Sequence, residues 1–198
     1  MGIDQVARRA VFLDRDGVLN RNVFHPESGA FESPLVPEDV QILPGVIESL
    51  LKLQTADYLL ILVSNQPSYA KGKVSLATLD AIHCKVMESL ESSGVTLAAM
   101  HYCLHHPQGI VPGYSGPCEC RKPSPYFLLE DAKRYGLDLK GSWMVGDRNA
   151  DIACGQAAGV RTIRVREDHP ATRDPLDLHA EFEADDLASA AAIILTER

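Results

Sequence analysis

The chain reads as an α/β protein, a doubly wound parallel sheet with helices on both faces. Three observations predict this. Apolar runs at about 9–14, 58–63, 142–145 and 160–165 have the length of buried strands. Stretches with apolar residues at helical spacing separate them, and that alternation favours a parallel sheet. Polar residues sit where the strands end: Asp14-Arg15-Asp16, Ser64-Asn65, Cys103 onward and Gly146-Asp147. Ligands of open α/β sheets bind outside the carboxyl ends of the strands, so these four signals read as one site.

In chain order, the first strand covers about 9–14 and delivers Asp14 and Asp16, after which Gly17 lets the backbone turn without a Cβ clash. Residues 21–43, punctuated by Pro26, Gly29, Pro34 and Pro37, form a long excursion; with the turn before it, about 15–43 reads as a functional flap. Pro44 suits the first turn of a helix to about Leu53, whose apolar face is Val46, Ile47, Leu50, Leu51 and Leu53. The strand Tyr58–Val63 follows and ends on Ser64-Asn65-Gln66. A helix from about Ser75 to Ser92 carries Leu79, Ile82, Val86, Met87 and Leu90 to the core, with Cys84 expected to be buried in it. A short strand near 98–103 leads into a Cys/His loop spanning about 103–120. After Pro125 come a helix, the strand Ser142–Val145, the turn Gly146-Asp147, a helix from about Ala150 to Ala158 with Cys154 in its core, and the strand Val160–Val165. Residues 166–185, polar and carrying Pro170 and Pro175, are expected to wander over the surface. A last helix, about Asp186 to Leu195, takes Asp185 or Asp186 as its cap. The whole is a Rossmann-like sheet in one domain, 1–198, with no separate cap domain.

Composition narrows the function. Hydrophobic residues at 45% and charged residues at 23% are ordinary for a soluble globular protein. A formal charge of −8 and a pI near 5.3 speak against a broad nucleic-acid surface, and no basic single-strand groove is visible. The longest apolar run, Tyr58 to Val63, is too short to cross a bilayer, and residues 1–9 lack the order of a signal peptide. Three of five cysteines crowd between 103 and 120 beside histidines, which suits a metal in a reducing compartment. A cytoplasmic location is therefore expected. With no sustained heptad pattern, so is a monomer.

Two constellations carry chemistry. Asp14 and Asp16 are like charges at one strand end, which calls for a cation or a shared proton. Magnesium-dependent phosphoryl transfer, with one Asp as nucleophile and the other as acid/base, needs such a pair; a solvated Asp-Arg-Asp-Gly turn is the plain alternative. In the second, Cys103, His105, Cys118 and Cys120 can close a tetrahedral zinc site of structural type, pinning the loop. Either ring nitrogen of His105 can serve. His106 is the second choice of ligand, or else a loop or substrate contact.

Asp14-Arg15-Asp16-Gly17-Val18-Leu19-Asn20, Ser64-Asn65-Gln66, Arg121-Lys122-Pro123 and Val145-Gly146-Asp147-x-x-x-Asp151 resemble, in order, the four motifs of the haloacid dehalogenase-like phosphatases. They span about residues 10–160. The resemblance implies that Asp14 is the nucleophile, forming an aspartyl-phosphate, and that Asp16 is the acid/base. It implies that Ser64 and the backbone around Asn65 hold the non-reacting phosphate oxygens, and that Lys122 neutralises developing charge. Mg²⁺ would be held by Asp14, the Asp16 carbonyl and Asp147. Asp151 would orient metal-bound water, or merely favour the first turn of its helix.

The zinc loop running into Arg121-Lys122-Pro123 is similar to the branch that contains heptose 1,7-bisphosphate 7-phosphatases and histidinol phosphatases. The long link from His105 to Cys118 is closer to the heptose enzymes. The expectation is hydrolysis of a small phosphorylated metabolite, D-glycero-D-manno-heptose 1,7-bisphosphate first and histidinol phosphate as the alternative. Arg121 would grip a second phosphate, and Asn20 and His106 would meet sugar hydroxyls. An inactive zinc-stabilised binding protein is the reading from another class; the presence of Asp14, Asp16, Lys122 and Asp147 together speaks against it. After Ser64-Asn65-Gln66 the heptose enzymes typically continue Ser-Gly-Ile/Val-Ala/Gly-Arg-Gly, whereas this chain has Pro67-Ser68-Tyr69-Ala70-Lys71-Gly72. That departure bears on substrate identity and leaves the phosphoryl-transfer motifs intact.

Overall fold

The apolar run ending at Leu13 is wholly buried because it forms β1 (Arg9–Leu13) in the interior of a sheet. The computed structural model describes residues 7–166 and 178–197. Its main sheet has six strands in the order β5-β4-β1-β6-β7-β8, every neighbouring pair parallel. The other strands are β4 (Tyr58–Asn65), β5 (Ala99–Cys103), β6 (Trp143–Gly146), β7 (Arg161–Val165) and β8 (Phe182–Ala184). Five helices join them: α1 (Val46–Thr55), α2 (Leu76–Glu91), α3 (Tyr126–Tyr135), α4 (Asn149–Ala158) and α5 (Leu187–Thr196).

Strand side chains alternate between two faces, and each face has its own core. Val11, Leu13, Leu60, Leu62 and Val145 pack with Leu50 of α1, Leu90 of α2 and Ile194 of α5. Ala10, Phe12, Ile61, Val63 and Met144 pack with Leu128 of α3 and Cys154 and Ala158 of α4. Fully burying each large aliphatic side chain contributes about 1.5–3 kcal/mol, so a strand apolar on both faces is held firmly in register. The chain leaves β1 toward β4 on one side and returns to β6 on the other. The carboxyl end of β1 is thus the switch point where a ligand crevice opens.

The structure revises several local expectations. The flap carries a hairpin, β2 (Val23–His25) with β3 (Ala30–Glu32), its Phe24 and Phe31 rings 5.3 Å apart. It returns beside its start, with Arg21 N donating to Gln41 O at 2.9 Å and Leu43 N to Leu19 O at 3.0 Å. Pro44 lies before its helix: Gly45, at φ 75°, is the N-cap, a left-handed position closed to proline. Cys84 is exposed, because it lies two residues from buried Ile82 and so on the opposite face of α2. The polar stretch 166–185 contains β8; its residues 167–177, Pro170 and Pro175 among them, lie outside the described residues. Asp186 caps α5, accepting from Ser189 N at 2.7 Å. Among the described residues no helix is long and apolar enough to cross a membrane.

Candidate active site

Asp14 extends the ladder one residue past β1, its N–H donating to Val145 O at 3.0 Å. Gly17 follows at φ 84°. A Cβ there would stand 2.3 Å from Asp147 Oδ2, so glycine is what lets the loop after β1 and the end of β6 close on each other. Asp16 turns into a nest of donors. Arg15 Nε and Nη2 reach its two oxygens at 3.1 Å each, Asn20 Nδ2 donates at 2.9 Å, Ser33 Oγ at 2.8 Å and Gln66 Nε2 at 2.6 Å. Burial alone would raise the Asp16 pKa; the Arg15 guanidinium and the hydrogen bonds from Asn20, Arg15 and Ser33 hold it below the ordinary value. Arg15 is itself buried under Tyr102, its Cζ 5.7 Å from the ring centre, and Tyr102 Oη meets His83 Nδ1 at 2.5 Å.

Lys122 reaches the same point from the other side. Its Nζ lies 3.0 Å from Asp14 Oδ1 and 2.6 Å from Asp151 Oδ1, and donates to Val63 O at 2.7 Å. Burial disfavours the ammonium, but Asp14 and Asp151 outweigh it and raise the pKa well above the usual lysine value. Asp151 lies in the first turn of α4, and it also pairs with Lys122. Its Oδ2 accepts from Arg148 N at 3.0 Å at the start of α4, while Oδ1 pairs with Lys122. Burial and then the Asp14 charge push its pKa up, against Lys122. Gly146 makes this packing possible, since a Cβ there would lie 2.1 Å from Asp151 Cβ.

Carboxylate oxygens of Asp14, Asp147 and Asp151 lie within 4.8 Å of one another, all three residues buried. Lys122 and, 3.8 Å from Asp147 Oδ2, Arg148 Nε offset part of this negative charge, and a buried cluster of hard oxygen donors is what Mg²⁺ takes. The residues present therefore fit the ion.

Above this floor opens a cavity of about 350 Å³. Asp14, Asp16, Ser64, Asn65, Lys122 and Asp151 line it, with His106 among the other lining residues, and Lys71, Lys73, Arg121 and Arg148 bring positive charge to it. Burial, then Lys73, Arg121 and Arg148, lower the Lys71 pKa, with Glu32 opposing; burial, Lys71 and Arg121 lower that of His106. Glu32, on the flap, pairs with Lys73.

The thiols of Cys103, Cys118 and Cys120 lie 3.3–3.7 Å apart, and His105 Nδ1 is 3.9 Å from Cys103 Sγ and 3.7 Å from Cys120 Sγ. Four thiolates at about 2.3 Å from zinc would stand about 3.8 Å apart in a tetrahedron, so this donor set fits Zn²⁺. Nδ1 is the His105 nitrogen that faces the thiols.

A HAD-hydrolase-like family model matches residues 119–190. The D-glycero-alpha-D-manno-heptose-1,7-bisphosphate 7-phosphatase of Photorhabdus laumondii is 35% identical over 170 residues, 85% of this chain and 88% of that one. The chain belongs to the heptose-bisphosphate phosphatase family of haloacid dehalogenase-like hydrolases. The D-glycero-beta-D-manno-heptose-1,7-bisphosphate 7-phosphatase of Vibrio cholerae is 36% identical over 170 residues, covering 84% of this chain and 86% of that one. The crystal structure of the D,D-heptose 1,7-bisphosphate phosphatase of B. bronchiseptica, complexed with magnesium and phosphate, superposes with a TM-score of 0.77 at 31% identity, over 96% of this chain and 99% of that one.

Within this family fold, the structure brings Asp14, Asp16, Ser64, Asn65, His106, Arg121, Lys122 and Asp151 to one cavity. Asn20 is the correction. It is wholly buried, its amide committed to Asp16 Oδ1 and to Arg21 O at 3.2 Å, so it backs the acid/base candidate and does not face sugar hydroxyls. The Asn65 amide clamps the Lys122 backbone in both directions, at 3.1 and 3.0 Å, which leaves its main chain for a substrate. Arg121 Nη1 donates to His105 O at 3.2 Å, tying the cavity wall to the Cys/His loop. Arg15, Ser33, Gln66, Lys73 and Arg148 had no role assigned from the sequence, although Arg15 and Gln66 stand inside the quoted motifs; Lys71 was marked only as the replacement for the family's arginine.

Proposed function

We propose that this chain is a Mg²⁺-dependent phosphatase that converts D-glycero-D-manno-heptose 1,7-bisphosphate to the 1-phosphate. One observation carries the reading: Asp14 sits beside Lys122, Asp147 and Asp151 at the base of a cavity whose walls carry a second group of cations. A bisphosphate has one phosphoryl group for each.

An Asp14 carboxylate oxygen attacks phosphorus as the bond from phosphorus to sugar O7 breaks, and Asp16, protonated, gives its proton to O7. Water then attacks the aspartyl-phosphate phosphorus, Asp16 takes a proton from it, and phosphate leaves with Asp14 restored. The donors around Asp16 favour its carboxylate, the form that accepts the proton from water. To hold a proton it needs one partner to reverse, and the Ser33 hydroxyl can do so, being donor and acceptor.

Ser64 and the backbone at Asn65 hold the non-reacting oxygens, and Lys122 offsets charge developing on the phosphoryl group. Asp14, the Asp16 carbonyl and Asp147 would hold Mg²⁺, with Asp151 beside them; the ion would screen the repulsion between carboxylate and phosphate. Cys103, His105, Cys118 and Cys120 would hold Zn²⁺ in a closed, structural site that orders the loop bearing His106 and Arg121. Arg121 grips the distal phosphate.

The two relatives above are named for opposite anomers, so the test is phosphate release from both anomers beside fructose 1,6-bisphosphate, histidinol phosphate and sugar monophosphates. Magnesium-dependent preference for one heptose anomer, abolished by EDTA and by Asp14→Asn, is expected. Equal activity across the panel, or preference for histidinol phosphate, overturns the substrate; full activity of Asp14→Asn overturns the mechanism.

A further inference from the structure

The segment that departs from the family pattern, 67–73, is joined to the zinc loop by contacts that no single residue announces. Ala70 is wholly buried, and its carbonyl accepts from Ile110 N at 2.7 Å and Val111 N at 3.2 Å. Gly109 packs so close that a Cβ there would stand 3.1 Å from both Ala70 Cβ and Ala70 O. Above this seam the Tyr69 ring meets Tyr114 edge-on, with centroids 4.9 Å apart at 87°. Tyr114 in turn stacks on His105, a zinc-ligand candidate, at 5.4 Å and 29°. The segment is itself a compact turn, with Lys71 N donating to Pro67 O, Gly72 N to Tyr69 O and Lys73 N to Ser68 O. Its two ends face the cavity: Pro67 and Ser68 on one side, Lys71 and Lys73 on the other.

We propose that Tyr69 is a positioning residue for substrate selection: its edge-on contact with Tyr114 fixes Lys71 in the cavity wall, where the lysine meets the anionic group of the substrate that does not react. The proposal rests on the bisphosphate reading above. Glu32 attracts the Lys71 ammonium while Lys73, Arg121 and Arg148 repel it, so the opposing charges leave its placement to the contacts that seat the turn it sits on. The Tyr69–Tyr114 pair and the Ala70 carbonyl seat that turn against the loop, and Lys71 N closes it on Pro67 O. An aromatic pair of this geometry shifts a local equilibrium by about two- to tenfold. Tyr69 stands outside the set of residues that line the cavity with Asp14 and Lys122, so its influence falls on binding and not on the chemical step.

The test compares Tyr69→Ala and Tyr69→Phe with the natural enzyme on the preferred heptose bisphosphate and on p-nitrophenyl phosphate, which carries no second anion. Tyr69→Ala is expected to raise KM for the bisphosphate about fivefold with kcat nearly unchanged. It leaves p-nitrophenyl phosphate hydrolysis and bound zinc as they were. Tyr69→Phe, which keeps the ring, restores the natural KM. Because Tyr69 acts through Lys71, the double variant Tyr69→Ala/Lys71→Gln matches Lys71→Gln alone. An unchanged KM in Tyr69→Ala, an additive double variant, or equal losses on both substrates overturns the proposal. Failure of the natural enzyme to cleave the bisphosphate overturns the substrate reading instead, so the two failures are told apart.

Discussion

Arg15 is a cation with a side chain 1% exposed, matched by an Asp16 side chain 8% exposed at 3.1 Å. At that distance and an effective dielectric of about 20, the attraction is about 5 kcal/mol before desolvation is subtracted. Truncating one member of a buried pair leaves the other charge stranded, which costs about 3–5 kcal/mol. Arg15→Met leaves Asp16 with neutral donors from Asn20, Ser33 and Gln66, so the lower end applies, about 3 kcal/mol. With a urea dependence of about 2 kcal/mol per molar, the unfolding midpoint falls by roughly 1.5 M. Asp16→Asn strands the guanidinium and costs at least as much. The double variant, with neither charge, loses less than the sum by about 2 kcal/mol. The sign with pH is fixed. The folded Asp16 value is lowered, so the pair's contribution is complete above the unfolded carboxyl value of about 3.9 and fades as pH falls toward the folded value. Urea unfolding followed by circular dichroism at pH 7 and again below pH 4 measures all of this. A midpoint shift under roughly 0.3 M for Arg15→Met, or an additive double variant, refutes the buried-pair argument.

Three other outcomes follow from the same geometry. Gly146→Ala drives a methyl into Asp151 Cβ, 2.1 Å away, so β6 and α4 must part; a loss of about 1–3 kcal/mol and a marked fall in kcat are expected from unfolding curves and steady-state kinetics. Asp186→Ala removes the α5 cap to Ser189 N and lowers stability by about 1 kcal/mol with kinetics unaltered, which urea titration and initial rates check together. Cys118→Ser, or a strong chelator, removes stoichiometric zinc and lowers the melting temperature, whereas EDTA at a level that strips only Mg²⁺ stops turnover with little effect on melting.

Much of this site could be read from local pattern. Apolar runs marked β1, β4, β6 and β7, and because parallel strands end on one side of the sheet, the polar residues after them had to meet. The cluster of Cys103, His105, Cys118 and Cys120 was legible because thiols and imidazole are rare and closely spaced. What escaped depends on distant contacts. The hairpin of β2 and β3 has three residues per strand and leans on Glu32–Lys73 and Ser33–Asp16, pairs 41 and 17 positions apart. Gln66 reaches Asp16 across 50 positions. Arg15 received no role of its own, since nothing near it in sequence announces that Tyr102 covers it. Asn20 was placed at the substrate by its motif, yet its short amide is used up behind Asp16. β8 was hidden in a polar stretch because an edge strand needs only one apolar face, here Phe182 and Ala184.

The central claim is that phosphorus passes through Asp14. The most direct measurement mixes the enzyme and Mg²⁺ rapidly with each heptose bisphosphate anomer, quenches in acid and weighs the peptides. A phosphoryl adduct on the peptide containing Asp14 is expected, forming and decaying at rates that match phosphate release, with no adduct or turnover in Asp14→Asn. Phosphate release with no adduct at any quench time, or undiminished release from Asp14→Asn, would contradict it.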